Sequence, residues 1–277
     1  MTRKKDAPFV LIYDFDGTLS PGNMQEYNFV PSLGIKPKTF WQDAKKLAED
    51  KQADEILAYM RLMLEKADQQ KIPIRKKDFE SFGKNIEFFE GIDTWFDRIN
   101  KYGKTKNIKV EHYIISSGLR EMIEGTPISK YFKRIYASGF MFNQNDIAYW
   151  PALAVNYTTK TQYLFRINKN SLDVHDNSVI NKFTPHNQRP VPFKNMVFIG
   201  DGETDIPCMR LVKDLGGNSI AVYQKGKKGA IGKAKKLTMD GRATLAIAAD
   251  YSEGSNIEKA IMAMIDKIAT DNILAKL

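Results

Sequence analysis

A chain of 277 residues, 43% of them hydrophobic and 27% charged, has the composition of a soluble globular protein with one large core, or a core and a smaller companion. No apolar run approaches the roughly 20 residues a bilayer-spanning helix needs, and a lone cysteine, Cys208, excludes an internal disulfide framework and a cysteine-built zinc site. The net charge of +9 favours acidic partners, among them phosphorylated small molecules, nucleic acid and membrane surfaces.

Three histidines (His112, His175 and His186) argue against a histidine-rich metal site, so any metal here is expected to be a hard, oxygen-seeking one. The first residues lead into an apolar strand with no separate signal-peptide core, which makes the cytoplasm the expected compartment.

Phe9, Val10, Leu11, Ile12 and Tyr13 form an unbroken apolar run, the pattern of a strand buried on both faces of a parallel sheet. Asp14 and Asp16 follow directly, with Gly17 and Thr18 behind them. Two carboxylates at the end of a buried strand are costly unless a cation meets them. The carboxyl ends of parallel strands are also where ligands bind. The plainer alternative is an acidic turn, since Asp and Gly are ordinary turn residues.

Pro21 and Gly22 break the strand pattern, and Pro31, Gly34 and Pro37 keep the next stretch irregular. Trp41, Ala44, Leu47, Ile56, Leu57, Met60, Met63 and Leu64 recur at helical spacing, which predicts a helix over 39–70. Ile72, Pro73 and Ile74 end it, and a shorter helix is expected over 78–89. Residues 21–90 thus read as a helical insert with its own small core. Its aromatic residues, Phe40, Trp41, Phe88 and Phe89, read as core rather than substrate contacts.

Asp93 reads as a helix N-cap, with Trp95, Phe96, Ile99 and Tyr102 on one face and Gly103 as the stop. A second apolar strand, Tyr113, Ile114 and Ile115, ends at Ser116, Ser117 and Gly118, before a helical stretch to Ile123. A third strand is expected over 134–137, then a hairpin of 140–142 and 147–155 around the turn 143–146. Thr158, Thr159 and Lys160 open a helix that continues through Tyr163, Leu164 and Ile167, and 171–192 reads as a loop.

Val197, Phe198 and Ile199 form a fourth buried strand that runs into Gly200, Asp201, Gly202, Glu203, Thr204 and Asp205. A helix over 208–212, a fifth strand over 220–222 and a C-terminal helix over 257–274 complete the pattern. Strands alternating with helices imply a parallel sheet with right-handed crossovers. Lys225, Lys227, Lys228, Lys233, Lys235 and Lys236 cluster in a Gly-containing segment, whose plain reading is a solvated surface.

Three apolar strands therefore end in reactive groups: Asp14 and Asp16, Ser116, and Asp201 with Asp205. In a parallel sheet these ends share one edge, and so many carboxylates repel without a cation. A single Mg²⁺ resolves this, because it prefers carboxylates, waters and phosphate oxygens. Ser116 precedes a helix N-terminus, where free N–H groups favour a phosphate. Lys160 lies in a helix's first turn and opposes its dipole, which makes better sense with an anion between them.

This set of residues resembles the haloacid dehalogenase-like (HAD) hydrolase superfamily. Asp14-Phe15-Asp16-Gly17-Thr18 looks like its first motif, Ser116 its second, Lys160 its third and 200–205 its fourth. The resemblance covers essentially the whole chain. The hairpin before Lys160 is similar to that of the phosphoserine-phosphatase-like branch.

The implied fold is α/β, a Rossmann-like parallel sheet core over 1–20 and 91–277, with a helical cap over 21–90 and a small β-hairpin. The implied roles are Asp14 as nucleophile and Asp16 as general acid and base. Ser116, Ser117, Gly118 and Lys160 would bind phosphate. Mg²⁺ would be held by Asp14, the Asp16 carbonyl and Asp201, with Asp205 orienting Lys160 or a metal-bound water. Lys169 is the other lysine of that helix that could fill the third motif.

The implied activity is hydrolysis of a small phosphorylated metabolite, with neither membrane nor nucleic acid as partner. The acid at Asp16 favours phosphate esters over dehalogenation. Phosphoserine phosphatases carry a Glu where this chain has Asn23, and Glu26 stands off that register. The alternatives are phosphotransfer on the same scaffold, or nucleic-acid binding by an inactive scaffold through the lysine cluster.

Overall fold

Among the described residues seven strands form one sheet: β1 (Phe9–Tyr13), β2 (Val110–Leu119), β3 (Phe132–Phe142), β4 (Ala148–Leu153), β5 (Met196–Gly200), β6 (Asn218–Tyr223) and β7 (Leu245–Ala248). Their order is β4-β3-β2-β1-β5-β6-β7. Every pairing is parallel except that of β3 with β4. The computed structural model describes residues 7–277, so the reading of residues 1–6 lies outside the described residues.

β1 is central, paired with β2 on one side and β5 on the other. Phe9, Leu11 and Tyr13 pack into one apolar cluster and Val10 and Ile12 into the other. A strand covered on both faces has no need of alternation, which is why it reads as a continuous apolar run. The chain leaves β1 toward β2 and returns to β5 on the other flank, so the loops after these three strands meet at a topological switch point.

Between β1 and β2 lie α1 (Met24–Tyr27), α2 (Phe29–Ser32), α3 (Pro37–Lys51), α4 (Glu55–Gln69), α5 (Lys76–Gly83) and α6 (Ile92–Thr105). Later come α7 (Arg120–Glu124), α8 (Thr159–Lys169), α9 (Ser178–Asn181), α10 (Ile206–Asp214), α11 (Ala230–Met239) and α12 (Asn256–Leu274). The insert does not have a core of its own. Phe29, Phe40, Tyr59, Met60 and Phe79 belong to one cluster with Phe9, Leu11, Met122 and Phe140.

Several expected elements differ. The helix expected over 39–70 is two helices, because Gln52 turns left-handed at φ 51° and Asp54 starts a new one. Asp54 Oδ1 accepts from the N–H groups of Ile56 and Leu57 at 2.9 and 3.0 Å. The helix expected over 78–89 is α5, which begins at Lys76 and ends at Gly83. α6 starts one residue before Asp93, with Gly91 as its N-cap, and runs past Gly103. A Cβ at Gly103 would stand 2.5 Å from Val110 Cγ2, so this glycine serves close packing rather than termination.

The third strand and the first arm of the hairpin are a single strand, β3. β2 continues through Ser116 to Leu119, with an irregular register between those two residues, so Ser116 lies inside the strand and α7 begins beyond it. The 171–192 stretch includes α9. α11 and β7 had no expectation, because the lysine-rich helix has only a narrow apolar edge.

Candidate active site

The loops after β1 and β5, the irregular end of β2 and the first turn of α8 surround a cavity of about 640 Å³. Asp14, Asp16, Ser116, Ser117, Gly118, Lys160 and Asp201 all line it, and the insert contributes Gln25, Glu26, Trp41 and Tyr59. Asp205 stands behind Lys160, fully buried.

Lys160 is the hub. Its side chain has no exposure, and its Nζ lies 3.1 Å from Asp14 Oδ1 and 2.7 Å from Asp205 Oδ1. Burial works against its charge, but the carboxylates of Asp14 and Asp205 outweigh that and hold the ammonium above the usual lysine range. Asn156 fixes where α8 begins. Its N–H donates to Thr159 Oγ1 at 2.8 Å, the Thr159 N–H donates back to Asn156 Oδ1 at 3.2 Å, and the Lys160 N–H reaches the Asn156 carbonyl at 3.0 Å. Lys169, at the far end of α8, instead donates to the carbonyls of Ile180 and Lys182 at 2.6 and 2.7 Å. Lys160 is therefore the lysine at the site.

Around this one ammonium are four carboxylates. Burial together with the charges of Asp205 and Asp14 pushes Asp201 up to about 8. Burial and Asp14 push Asp205 up to about 6, against the pull of Lys160. Burial, then Asp14, raise Asp16 well above the carboxylate range. Each rise has the same leading cause, burial, to which neighbouring carboxylates add more negative charge than the nearby lysines offset.

Asp14, Asp201 and Asp205 each offer an oxygen within 4.8 Å of the others. An all-carboxylate donor set of this kind fits a hard divalent cation such as Mg²⁺. Asp205 is the most committed of the three, since Oδ1 accepts from Lys160 and Oδ2 from the Gly202 N–H at 3.3 Å. That leaves Asp14 and Asp201 as the freer donors. The carboxylate of Asp16 is outside this trio; its Oδ1 accepts from the Met24 N–H at 2.9 Å, at the start of α1.

The loops are also locked by contact. Gly17 has φ +76°, and a Cβ there would fall 2.2 Å from Asp201 Oδ2, so only glycine lets the first loop close onto the third. Ser116 is 1% exposed and its Oγ accepts from the Gly118 N–H at 3.0 Å, which leaves the hydroxyl proton free to donate. The Ser117 hydroxyl is buried with no hydrogen-bond partner among the described residues, while its carbonyl accepts from Tyr59 Oη at 2.8 Å and Ser138 Oγ at 3.1 Å.

Sequence reasoning expected the insert to cover the site but did not identify which of its residues line this cavity. Trp41, expected in the core, lines it and donates from Nε1 to Glu26 Oε1 at 2.7 Å. Phe40, its neighbour, is core. Glu26, off the expected register, also accepts from Asn23 Nδ2 at 2.6 Å, because one turn of α1 brings positions 23 and 26 together. Asp54 reaches across with Oδ2 to Asn156 Nδ2 at 2.6 Å. The Asn156–Thr159 spacing, a reciprocal cap three residues apart, was the available signal for Asn156.

Among the described residues no helix is long and apolar enough to cross a membrane. An uncharacterized protein of Borreliella burgdorferi is 29% identical over 292 aligned positions, which cover 95% of this chain and 98% of that protein. Among solved structures, a substrate-bound phosphoserine phosphatase matches 93% of this chain and 99% of its own length, with a TM-score of 0.57 at 14% identity. A HAD family hydrolase from Salmonella enterica serovar Typhi matches 88% of this chain and 69% of its own, with a TM-score of 0.57 at 16% identity. At such identities the likeness is one of fold. A family model described as haloacid dehalogenase-like hydrolase matches residues 11–210, from within β1 through most of α10, and the chain belongs to that family.

Proposed function

We propose that this chain is a Mg²⁺-dependent phosphatase that hydrolyses monoesters of small phosphorylated metabolites through an aspartyl-phosphate on Asp14. The observation that carries this reading is the gathering of four carboxylates around the single buried ammonium of Lys160, at the ends of adjacent parallel strands. Asp14, Asp201 and the Asp16 carbonyl would hold Mg²⁺, which when bound offsets the carboxylate charge and polarises a phosphoryl oxygen.

In the first step an Asp14 oxygen attacks phosphorus in line with the ester oxygen. The new O–P bond forms as the ester P–O bond breaks, and Asp16 gives its proton to the leaving oxygen. Water then attacks the phosphorus, Asp16 takes back a proton, and the Asp14–phosphorus bond breaks to release inorganic phosphate. Ser116, through its free hydroxyl proton, and Lys160 hold the phosphoryl oxygens as charge redistributes. Asp205 keeps Lys160 charged and aimed. An acid at position 16 favours ester hydrolysis over dehalogenation, and the fold likeness to phosphoserine phosphatases agrees in class.

The test is hydrolysis of an aryl phosphate with Mg²⁺ or with EDTA, comparing wild type with Asp14→Asn. Metal-dependent turnover lost in the variant is the expected result, and normal turnover by Asp14→Asn refutes the mechanism. Should the cavity reject aryl phosphates, Mg²⁺-dependent binding of beryllium fluoride by wild type and not by Asp14→Asn reads the same chemistry.

A further inference from the structure

The lysine cluster has no part in that chemistry, yet it is contiguous with it. Lys225 is paired with Asp250 at 2.6 Å. Lys227, Lys228, Lys233 and Lys236 form no ion pair among the described residues, and all four are exposed. With Arg242 they line a groove of about 570 Å³ that starts at Gly17, Pro21 and Asp201. Those three residues and Lys227 also line the catalytic cavity, so the groove opens directly from it.

Local structure explains the alignment. Lys227 and Lys228 occupy the turn after β6, and Lys233 and Lys236 lie three residues apart on one side of α11. α11 is anchored by Ala234, with Leu237 packed against the same cluster, which leaves the lysines beside that edge turned to the groove. Five cations line it against three acids: Asp201 at the catalytic end, Glu203, and Asp240, which is 4.0 Å from Arg242. A lone phosphoryl group held at Asp14 and Lys160 would leave this surplus positive charge unused.

We propose that the groove is a second anion subsite, and that the substrate is a small bisphosphorylated metabolite whose second phosphate lies along Lys227, Lys233 and Lys236. This assignment rests on the phosphatase reading of the adjoining cavity. The groove's one aromatic residue is Tyr223, which is too few for base stacking and favours a small molecule over a nucleic acid.

The experiment compares fructose 1,6-bisphosphate with fructose 6-phosphate as inhibitors of aryl-phosphate hydrolysis, in wild type and in the Lys233→Gln, Lys236→Gln double variant. The readout is the ratio of the two inhibition constants. The bisphosphate should compete about tenfold more tightly in wild type, and that advantage should fall to within about twofold in the variant. Equal competition by the two sugars in wild type, or an undiminished advantage in the variant, overturns the proposal. Tighter competition by a mixed-sequence single-stranded oligonucleotide, steeply dependent on salt, overturns the assignment to a small molecule.

Where wild type turns over no aryl phosphate, beryllium fluoride binding decides the phosphatase reading, separately from the subsite. Calorimetric titration with fructose 1,6-bisphosphate then decides the subsite: about tenfold weaker binding by the variant supports it, and equal binding overturns it.

Discussion

His112 gives the protein an acid-sensitive point set by burial. Its ring lies between Tyr13 and Phe96, and a chain of hydrogen bonds runs through it. Trp95 Nε1 donates to Tyr13 Oη at 2.9 Å, Tyr13 Oη donates to His112 Nδ1 at 3.1 Å, and His112 Nε2 meets Asn100 Oδ1 at 3.1 Å. Every atom is satisfied only when the ring is neutral with its proton on Nε2. Burial pushes the imidazole from its ordinary 6.5 down to about 3.

The unfolded ring therefore takes up a proton below about pH 6.5 while the folded ring holds out to about pH 3. Stability is complete above that range and falls by about 1.4 kcal/mol per pH unit within it. Going from about pH 7 to pH 5 removes about 2 kcal/mol through this residue alone. His112→Gln keeps a donor toward Asn100 but cannot titrate. The variant should start about 1–2 kcal/mol less stable, since Tyr13 loses its acceptor, and should lose correspondingly less on acidification. Urea unfolding of both proteins at the two pH values measures this, because all other groups titrate alike in each. An equal loss in both would refute the argument.

Three further outcomes can be checked. Ser116→Ala should lower kcat on the order of a hundredfold, as removing one preorganised donor does, with the circular dichroism spectrum unchanged. Gly17→Ala adds strain of about 1–2 kcal/mol from the left-handed backbone and drives a methyl group into Asp201, so the Mg²⁺ concentration for half-maximal activity should rise steeply. Asp54→Ala removes the cap of α4 and the bond to Asn156, costing about 1 kcal/mol. It should lower the melting temperature by about 3 °C and raise KM more than it lowers kcat.

The core of the site was readable because its strands are buried on both sides. β1 and β5 appear as apolar runs that stop abruptly at acids, and chain order alone then brings Asp14, Asp16 and Asp201 to one edge. Ser116 was found for a similar reason, although the strand does not stop there; a polar, irregular continuation to Leu119 has no apolar signature. The break at Gln52 lacks both Gly and Pro, so periodicity ran straight through it, and Asp54 was the overlooked cap. Trp41 and Glu26 could not be placed, because which face of a short insert helix meets the cavity is decided by packing against the sheet. Gly103 misled for the opposite reason: a residue that usually ends helices is here demanded by the closeness of Val110.

The shared apolar cluster has a consequence for how substrate enters. Swinging the insert away as a body would tear Phe29, Phe40 and Phe79 from the side chains that also support the sheet, exposing a large part of the interior. On this packing, access is expected to come from smaller events, such as release of Asn156 by Asp54 and release of the Ser117 carbonyl by Tyr59. Such openings cost a few hydrogen bonds rather than a core, and they belong to the low-energy end of a protein's local fluctuations. The insert and the sheet are then expected to unfold together, so that core changes in the insert, at Phe40 or Met60 for example, should lower the stability of the whole chain.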